Sequence, residues 1–438
     1  MKFDYKNILI MGYGKSGQAV EDVLKKLNGV NYYIYDKAKG ISGGKYLSKL
    51  TKKIVDNFDL IVVSPGVSIY NKYIVYAEKV GIKVVGELEF GYWFTTAPII
   101  AITGTNGKTT TTSLTNNIVG TTYKSGAYGN IGLPLSTAYN KECDYIVCEV
   151  SSFQLETTNL FTPYISCILN IGEDHLDRHR TLENYINCKI SLLKNCTEKS
   201  IVVLNADDSI LMSKTENIRC RKFYISQTKK VKGVYIYNDC VYVNLKSPTK
   251  ICSLEEIEKG YGILGDILAS ILIGILLKIE TTKILDVVKS FSISPHRMQL
   301  VANKDGVRFI DDSKSTNVHS SLNALRCVND RVILMLGGYN KKLSFNRVFA
   351  EYSDKLEFVV AFGDTRKKVL MSAKKFGFDR IKIFKSFKDA TYFACSIAKE
   401  NSAVLLSPAC SSFDEFSSYA ERGEVFNQIV KDFVNAKN

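Results

Sequence analysis

The sequence predicts an α/β protein of three domains, and three observations support this class. Apolar runs typical of buried strands alternate with helix-like segments along most of the 438 residues. Two of these strands lead into a glycine-containing loop and then a helix, as in nucleotide-binding folds. The length corresponds to about three domains of ~150 residues. We expect a Rossmann-like domain at residues 1–96, a central P-loop-type mononucleotide-binding domain at 97–294 and a C-terminal Rossmann-like domain at 295–438.

The first domain opens with a dinucleotide-binding pattern. The apolar strand Asn7–Met11 runs into Gly12-Tyr-Gly-Lys-Ser-Gly17, and a second strand, Tyr32–Tyr35, ends at Asp36. Such glycines allow close approach to a pyrophosphate, and an acid about 20 residues later can bind a ribose hydroxyl. The pattern alone leaves a nicotinamide cofactor, another nucleotide and a purely structural role open. Ser64-Pro-Gly66 follows a further apolar strand and should border the same crevice.

A strand, a loop and a helix start between residues 98 and 118 predict a phosphate-binding loop, Gly104-Thr-Asn-Gly-Lys-Thr-Thr110. The N–H groups of the loop and of the first helical turn can bind one anion, and the two glycines allow close approach. Lys108 would meet the β- and γ-phosphates of a nucleotide, and the Thr109 hydroxyl would be a hard ligand for Mg²⁺. The strict motif is not met, because Ile102 stands where its first glycine belongs. A plain βα turn is therefore the alternative.

Further polar residues follow the apolar strands of the central domain. Asn130 lies in a turn, Glu149 lies in the apolar run 144–150, and His175 follows the strand 164–170. A carboxylate and a histidine at strand ends near a phosphate loop suggest metal ligation, although His175 taken singly is equally a surface histidine. Lys189, on the predicted helix 181–193, indicates by itself only a solvated helix face.

The last third of the chain again alternates strands and helices, with a domain boundary near Ser294. Predicted strands are Arg331–Leu336, Phe358–Phe362 and Ala403–Leu406, and predicted helices are Asn317–Cys327, Phe387–Glu400 and Phe416–Phe433. This alternation is typical of a mostly parallel sheet covered on both faces. Upstream of the boundary, residues 226–249 predict a small antiparallel addition to the central domain, and residues 263–279 predict an apolar core helix.

Composition and charge limit the class of protein. Hydrophobic residues make up 45% of the chain and charged residues 23%, as in ordinary globular proteins. We expect a cytoplasmic protein, because no apolar run is long enough for a membrane span and no cleavable signal is visible. The 11 cysteines are scattered without a disulfide or metal-binding pattern, which suits a reducing compartment. The net charge of +14 is dispersed, which favours anionic small molecules over nucleic acid.

A series of motifs along the whole chain resembles those of the Mur ligases. In order they are Thr103-Gly-Thr-Asn-Gly-Lys-Thr109, Gly129-Asn-Ile-Gly-Leu-Pro134, Glu149-Val-Ser-Ser-Phe-Gln-Leu-Glu156, Glu173-Asp-His-Leu-Asp177, Pro295-His-Arg297, Asp312-Ser-Lys-Ser-Thr-Asn317 and Ser407-Pro-Ala-Cys-Ser-Ser412. The central motifs are shared by the superfamily, including the folylpolyglutamate synthases. The last two look specific to the branch of the family that adds D-glutamate.

The resemblance implies an ATP-dependent ligase of peptidoglycan precursor synthesis that adds D-glutamate to UDP-N-acetylmuramoyl-L-alanine. The alanyl carboxylate would attack the γ-phosphate of ATP, giving an acyl phosphate and ADP, and the amine of D-glutamate would then displace phosphate. Because a carboxylate attacking a polyanion meets like-charge repulsion, cations must neutralise both partners. In this family the first domain holds the uridine diphosphate of the sugar substrate, so the resemblance replaces the nicotinamide interpretation.

The resemblance also implies roles for individual residues. ATP would be bound by Gly104, Thr105, Asn106, Gly107, Lys108, Thr109, Thr110, Arg297 and Asp312. Two Mg²⁺ ions would be served by Thr109, Glu149, His175 and Lys189, with Lys189 carbamylated so that an oxygen ligand replaces its ammonium. Lys108, His175 and Lys189 would be the catalytic group. The UDP-sugar would contact Ser16, Asp36, Ser64, Pro65, Gly66 and Asn130. D-glutamate would contact Lys314, Thr316, Lys341, Ser412, Phe413 and Tyr419.

The sequence departs from the family pattern at three places. A His-Asn-x-x-Asn stretch around the base of ATP is Gly265-Asp266-Ile-Leu-Ala269 here, which leaves the adenine contacts open. An acid-glycine pair before the glutamate-binding lysine is Tyr339-Asn340, and Tyr419 stands where a phenylalanine is usual.

Two other functions remain as alternatives. A sister ligase adding a different amino acid should lack the motif at 312–317, whereas a P-loop NTPase without ligation would hydrolyse nucleotide regardless of D-glutamate. We expect a monomer that acts on small-molecule substrates, without nucleic acid or a membrane span.

Overall fold

Strands and helices alternate along the chain, and its internal contacts divide it into two units. The computed structural model describes residues 3–37, 45–257, 263–292, 295–339 and 344–436, the side chain of Asp177 excepted. The described residues within Met1–Ile171, Ile186–Ile257 and Gly265–Phe291 form the first unit. Those within Gly172–Tyr185, Glu258–Leu264 and Ser292–Asn438 form the second. Residues 172–185 thus group with the C-terminal residues, which the predicted domain boundaries do not anticipate; those boundaries stay a prediction.

The N-terminal residues form a parallel sheet. Its elements are β1 (Asn7–Met11), α1 (Lys15–Leu24), β2 (Asn31–Tyr35), α2 (Lys52–Val55), β3 (Leu60–Val63), α3 (Lys72–Lys79), β4 (Lys83–Gly86) and α4 (Glu87–Trp93). The strand order is β2-β1-β3-β4. Because successive connections from β1 leave toward opposite edges, a crevice opens at the carboxyl ends of β1 and β3, where such sheets bind ligands.

The central residues form a larger sheet around the predicted phosphate-loop strand. In chain order, the strands of this sheet and the helices between and after them in the sequence are β5 (Ile99–Thr103), α5 (Lys108–Gly120), β6 (Ser125–Gly129), β7 (Tyr145–Glu149), α6 (Ser152–Leu155), β8 (Ile165–Ile168), α7 (Leu176–His179, in the second unit), α8 (Leu182–Ile190), β9 (Ile201–Asn205), α9 (Ser209–Thr215), β10 (Arg221–Ser226), β11 (Gly233–Tyr237), β12 (Cys240–Asn244), β13 (Pro248–Ser253), α10 (Leu264–Leu276) and α11 (Thr281–Ser290). The order is β13-β12-β11-β10-β9-β8-β5-β7-β6. The predicted antiparallel addition is present as β11 to β13, although β11 itself runs parallel to β10.

A buried carboxylate joins the N-terminal sheet to the central one within the first unit. Glu89 of α4 is completely buried and accepts hydrogen bonds from the backbone N–H groups of Asn159, Leu160 and Phe161, at 2.9, 2.8 and 3.0 Å. The indole N–H of Trp93 donates a further bond at 2.9 Å. A buried charge is tolerated when it is fully hydrogen-bonded. Glu89 therefore anchors α4 to the loop before β8.

The C-terminal residues form a sheet that is parallel except for its first strand. Its elements are β14 (Gln299–Lys304), β15 (Val307–Asp311), α12 (Val318–Cys327), β16 (Arg331–Gly337), α13 (Asn346–Tyr352), β17 (Leu356–Phe362), α14 (Arg366–Lys375), β18 (Ile381–Ile383), α15 (Phe387–Ser396), β19 (Ser402–Leu406) and α16 (Tyr419–Asn435). The order is β14-β15-β19-β16-β17-β18. Separate apolar clusters cover its two faces, as the sequence predicts. Across the described residues, no helix is long and apolar enough to cross a membrane.

Candidate active site

A cavity of about 520 Å³ lies at the carboxyl ends of β1 and β3. Most of the residues expected to hold the UDP-sugar line it: Ser16, Asp36, Ser64, Pro65 and Gly66. Two cationic residues that the resemblance did not assign, Lys15 and Lys37, line it as well. The predicted set is therefore brought together, with the exception of Asn130, which lies on the central sheet.

The loop after β1 is held rigidly around this cavity. Gly12 has φ +87°, and a Cβ there would lie 2.9 Å from the Cβ of Ser64, so only glycine fits. The Ser64 hydroxyl donates to the Gly12 carbonyl at 2.8 Å, and the Asp36 carboxylate accepts the Tyr13 N–H at 2.6 Å. A Cβ on Gly14, the residue that caps α1, would meet nothing within 4 Å. The N-terminus of α1 is thus open to a ligand.

The phosphate loop is shaped in advance by a residue that the sequence analysis did not single out. Asn170, just beyond β8, accepts the Thr105 N–H at 3.0 Å with its backbone carbonyl and the Asn106 N–H at 2.9 Å with its side chain. Gly107 has φ +84°, and α5 begins immediately after it. The signal that could have revealed Asn170 is its place at the carboxyl end of the strand beside β5.

Two lysines converge on the same loop carbonyl. Lys108 Nζ donates to the carbonyls of Gly104 at 2.8 Å and Thr105 at 2.9 Å. Lys189 Nζ donates to the Gly104 carbonyl at 2.7 Å, although its side chain is buried. The solvated helix face that Lys189 suggests when taken singly is therefore wrong. Two ammonium groups beside one loop create a positive potential for phosphate.

Glu149 is hydrogen-bonded to one residue that is predicted to bind metal and to one that is predicted to contact the sugar substrate. Its two carboxylate oxygens accept hydrogen bonds from the Thr109 hydroxyl at 2.8 Å and the Asn130 amide at 2.7 Å. A hydroxyl and a carboxylate are the hard oxygen donors that Mg²⁺ prefers, so these residues fit that ion. Within the described residues no three His, Cys, Asp or Glu side chains form a metal-binding group. Such a site would therefore need phosphate and water oxygens as well, which is usual for Mg²⁺.

Asp266, the departure from the family's amide, packs against the phosphate loop. A Cβ on Gly107 would lie only 2.0 Å from Asp266 Oδ1, so the carboxylate fills the space beside that glycine. Its buried side chain faces the first turn of α5, where Thr110 is also buried. A carboxylate is favourable at a helix N-terminus but repels phosphate.

His175 is described in the second unit, whereas Thr109, Glu149 and Lys189 belong to the first. It has φ +51° and caps α7. Its Nε2 lies 3.5 Å from a carboxylate oxygen of Asp174, which also accepts the Asn317 amide at 3.0 Å. The half-exposed imidazole is thus held by an acid, and its role at a metal stays a prediction.

Arg297 and Asp312, expected to serve ATP, also lie in the second unit. Asp312 is buried and accepts the Ser407 hydroxyl at 2.7 Å. Burial raises the pKa of this carboxyl to about 7, against the opposing effects of Ser315, Ser407 and Arg297. Arg297 Nε is buried without a hydrogen-bond partner among the described residues. Their roles toward ATP stay predictions.

The described residues expected at D-glutamate follow β15 and β19 in the chain, or begin α16. Lys314 Nζ donates to the Tyr419 hydroxyl at 2.8 Å and lies 4.5 Å from the centre of its ring. Ser412 is buried, Thr316 is half-buried, and Phe413 is 67% exposed. Lys341 lies outside the described residues. The structure therefore brings Lys314 and Tyr419 together.

Comparison with known proteins found a match for each of the three sheet-forming regions. Residues 6–86 match the Mur ligase MurD-like N-terminal domain, residues 102–266 the Mur ligase middle domain, and residues 296–410 the Mur ligase glutamate ligase domain. A UDP-N-acetylmuramoylalanine–D-glutamate ligase from Thermoanaerobacter sp. (strain X514) is 37% identical over 99% of both chains. The chain belongs to the Mur ligase family. A protein of the same name from Caldanaerobacter subterraneus subsp. tengcongensis is 36% identical over 99% of both chains.

Family membership makes the chain an enzyme that forms amide bonds and uses ATP. A solved pseudomurein peptide ligase type C from Methanothermus fervidus has the same fold, with a TM-score of 0.62 at 17% identity over 98% of this chain and 99% of that one. The Mur ligase architecture confirms the predicted α/β class, with its N-terminal, central and C-terminal domains.

Proposed function

We propose that this Mur ligase joins D-glutamate to UDP-N-acetylmuramoyl-L-alanine in peptidoglycan precursor synthesis, with conversion of ATP to ADP and phosphate. Both relatives described above carry the name of this activity. One observation supports D-glutamate as the amino acid that is added. The two motifs that resemble the D-glutamate-adding branch, at 312–317 and 407–412, meet through the hydrogen bond from Ser407 to Asp312. The proposal includes a cytoplasmic location, because the reaction consumes ATP.

The N-terminal cavity would hold the uridine diphosphate of the sugar substrate. The Asp36 carboxylate accepts the Tyr13 N–H and lines the cavity, so it would be placed to accept from a ribose or base. Lys15 and Lys37 line the cavity and would neutralise the diphosphate, together with the open N-terminus of α1. Ser64, Pro65 and Gly66 line the cavity as well.

Lys108 would stabilise the charge that develops when the alanyl carboxylate attacks the γ-phosphate. Its ammonium is bound to two loop carbonyls, so it is already positioned at the loop that would receive the β- and γ-phosphates. Positioned cations and backbone N–H groups account for most of the catalysis of phosphoryl transfer. The product of this step would be an acyl phosphate on the alanyl group, with ADP leaving.

Thr109 and Glu149 would hold Mg²⁺ at the nucleotide, with Asn130 keeping the carboxylate in place. When bound, the ion would supply positive charge to the phosphate oxygens. In the hydrogen-bonded arrangement described above, the Asn130 amide nitrogen donates one hydrogen bond to Glu149. Its amide oxygen would be available to the sugar substrate.

Lys189 would carry a carbamate, and His175 would complete a second Mg²⁺ site. The support is chemical: an ammonium repels a metal ion, whereas a carbamate oxygen is a hard ligand. The buried place of Lys189 beside the Gly104 carbonyl puts the modified group next to the phosphate loop.

The amine of D-glutamate would attack the acyl phosphate from the C-terminal domain. Lys314 and Lys341 would bind its carboxylates, Thr316 and Ser412 would add hydrogen bonds, and Tyr419 with Phe413 would cover its aliphatic stem. Each charge-assisted hydrogen bond contributes about 1.5–3 kcal/mol. The amine would stay free to attack.

Phosphate release from ATP tests this function directly. We expect release only when both UDP-N-acetylmuramoyl-L-alanine and D-glutamate are present, with the amide product formed in equal amount. L-glutamate, L-lysine and meso-diaminopimelate are the matched controls. Release that is independent of D-glutamate would identify an NTPase, and a preference for another amino acid would identify a different ligase.

A further inference from the structure

A buried arginine ties together the loops around the amino-acid pocket. Arg422, in the first turn of α16, is completely buried. Its Nε donates to the Ser313 hydroxyl at 3.0 Å, and its Nη2 donates to the carbonyls of Ser313 at 2.8 Å and Cys410 at 3.1 Å. One guanidinium therefore bridges the segment after β15 to the segment after β19.

The third nitrogen of this side chain faces the loop after β16. A Cβ built on Gly338 would lie 3.2 Å from Arg422 Nη1. That nitrogen is buried and has no hydrogen-bond partner among the described residues. Nor does Arg422 form an ion pair within 4.0 Å there. β15, β19 and β16 are neighbours in the sheet, so the guanidinium lies where the carboxyl ends of three adjacent strands meet.

A buried guanidinium of this kind lowers the free energy of unfolding, so a role other than stability would explain its presence. A buried guanidinium without a directly bonded carboxylate loses hydration that three hydrogen bonds only partly replace, and Asp414, Asp311 and Asp312 act on it only from beyond ion-pair distance. Burial lowers its pKa to about 10, so it still carries its charge at neutral pH. A core that needed only packing would be served better by an apolar side chain of similar volume.

We propose that Arg422 is a positioning residue of the amino-acid pocket, which sets the places of Lys314 and Ser412 and contributes positive charge beneath a dicarboxylate. This inference rests on the proposed function, because it concerns the amino acid of that same reaction. Arg422 acts through its neighbours and makes no contact with the reacting atoms.

The contacts show how the effect is passed on. Ser313 directly precedes Lys314 in the chain, and its hydroxyl both accepts from Arg422 and donates to the Tyr419 carbonyl at 2.8 Å. Tyr419 in turn accepts from Lys314. Cys410, whose carbonyl accepts from Arg422 in the segment after β19, lies two residues before Ser412. Loss of the guanidinium would therefore loosen both sides of the pocket.

The test compares Arg422→Lys and Arg422→Met with wild type in the phosphate-release assay. We expect Arg422→Lys to raise KM for D-glutamate about fivefold and Arg422→Met at least tenfold, with KM for ATP changed less than twofold. Arg308→Lys is the matched control, since Arg308 pairs with Asp330 and stands near the start of β15, away from the pocket. Added methylguanidinium should partly restore the D-glutamate KM of Arg422→Ala.

The outcomes separate the two proposals. Unchanged D-glutamate KM in both variants, with only a lower Tm, would make Arg422 a merely structural residue and overturn the inference. If the Arg422 variants do not fold, Ser313→Ala decides the question, because it removes the hydroxyl that Arg422 reaches and should raise the same KM two- to threefold. A wild type whose phosphate release ignores D-glutamate would defeat the proposed function itself, and this inference with it.

Discussion

The phosphate loop and the proposed amino-acid pocket differ in how far apart in the chain their contacting residues lie. Lys108 bonds to carbonyls three and four residues before it, so its own contacts lie within one short segment, although Asn170 and Lys189 reach the same loop from 64 and 85 residues away. In the pocket, the partners Lys314 and Tyr419 are 105 residues apart, and Ser313 and Arg422 are 109 apart. The phosphate loop therefore combines local contacts with support from Asn170, whereas the side-chain hydrogen bonds of Lys314 and Arg422 in the proposed pocket all join residues at least 12 positions apart in the chain. Substitutions should reveal this difference.

The largest effect is expected from Lys108→Ala. Loss of the charge at the β- and γ-phosphates removes several kcal/mol of transition-state stabilisation, so turnover should be abolished. Calorimetry should show unchanged binding of the sugar substrate, for which the cavity at the N-terminal sheet is the proposed site. Lys124→Ala, at an exposed position near Glu142, is the control. A variant that kept more than about a tenth of wild-type kcat, a loss of only ~1.4 kcal/mol, would refute the assignment.

Lys189→Ala tests the second lysine at the phosphate loop. If Lys189 supplies a carbamate oxygen, the variant should lose most of its activity and regain part of it with added acetate or formate, which can occupy the vacated place. Mass spectrometry of the wild-type protein under bicarbonate should detect the added carbon dioxide. Failure of both small acids to restore turnover, together with an unmodified lysine, would show that Lys189 acts as an ammonium and would refute the carbamate.

Lys314→Ala tests the proposed amino-acid pocket, whose residues lie far apart in the sequence. Loss of one charge-assisted contact of about 1.5–3 kcal/mol should raise KM for D-glutamate at least tenfold and leave KM for the sugar substrate almost unchanged. Lys341→Ala should behave similarly, and Lys388→Ala, at an exposed position on α15, is the control. Steady-state kinetics decide the matter: an unchanged D-glutamate KM in both variants would place the pocket elsewhere.

The smallest effect on activity is expected from a buried carboxyl that lies outside both regions. Glu87 of α4 is buried, and burial raises its pKa from 4.5 to about 7, although the Ser136 N–H donates to it. The folded protein therefore holds a proton that the unfolded chain releases near pH 4.5. The contribution to stability is complete below that pH and is lost as the pH rises through 7.

Glu87→Gln should remove this dependence. Its Tm should fall less between pH 5 and 8.5 than that of wild type, by on the order of 5 °C, while kcat stays the same. Glu198→Gln, at an exposed position, should follow the wild-type profile. Thermal unfolding across this pH range is the measurement, and parallel curves for wild type and Glu87→Gln would contradict the assigned titration.

The separation in the chain between contacting residues also explains which parts of the structure could be predicted from sequence. The strands, the phosphate loop and the N-terminal cavity followed from contiguous patterns, since Gly12, Ser16 and Asp36 belong to one strand-helix-strand unit. Asn170 and Arg422 could not be found in this way, because Asn170 binds Asn106, 64 positions away, and Arg422 binds Ser313, 109 positions away. Lys314 and Ser412 were reached only through the family resemblance. Without it, both look like ordinary surface residues of a lysine-rich chain.

The strand order of the C-terminal sheet has a consequence for biosynthesis. β19 is the last strand made, yet it lies in the middle, between β15 and β16. Until residue 406 has left the ribosome, β15 and β16 have no partner between them and each presents an open strand edge. At about 5–20 residues per second, this exposure lasts several seconds after β16 is made. During synthesis, the C-terminal domain therefore depends on its final strand, and a nascent chain that stops before β19 should be a target for chaperones or proteases.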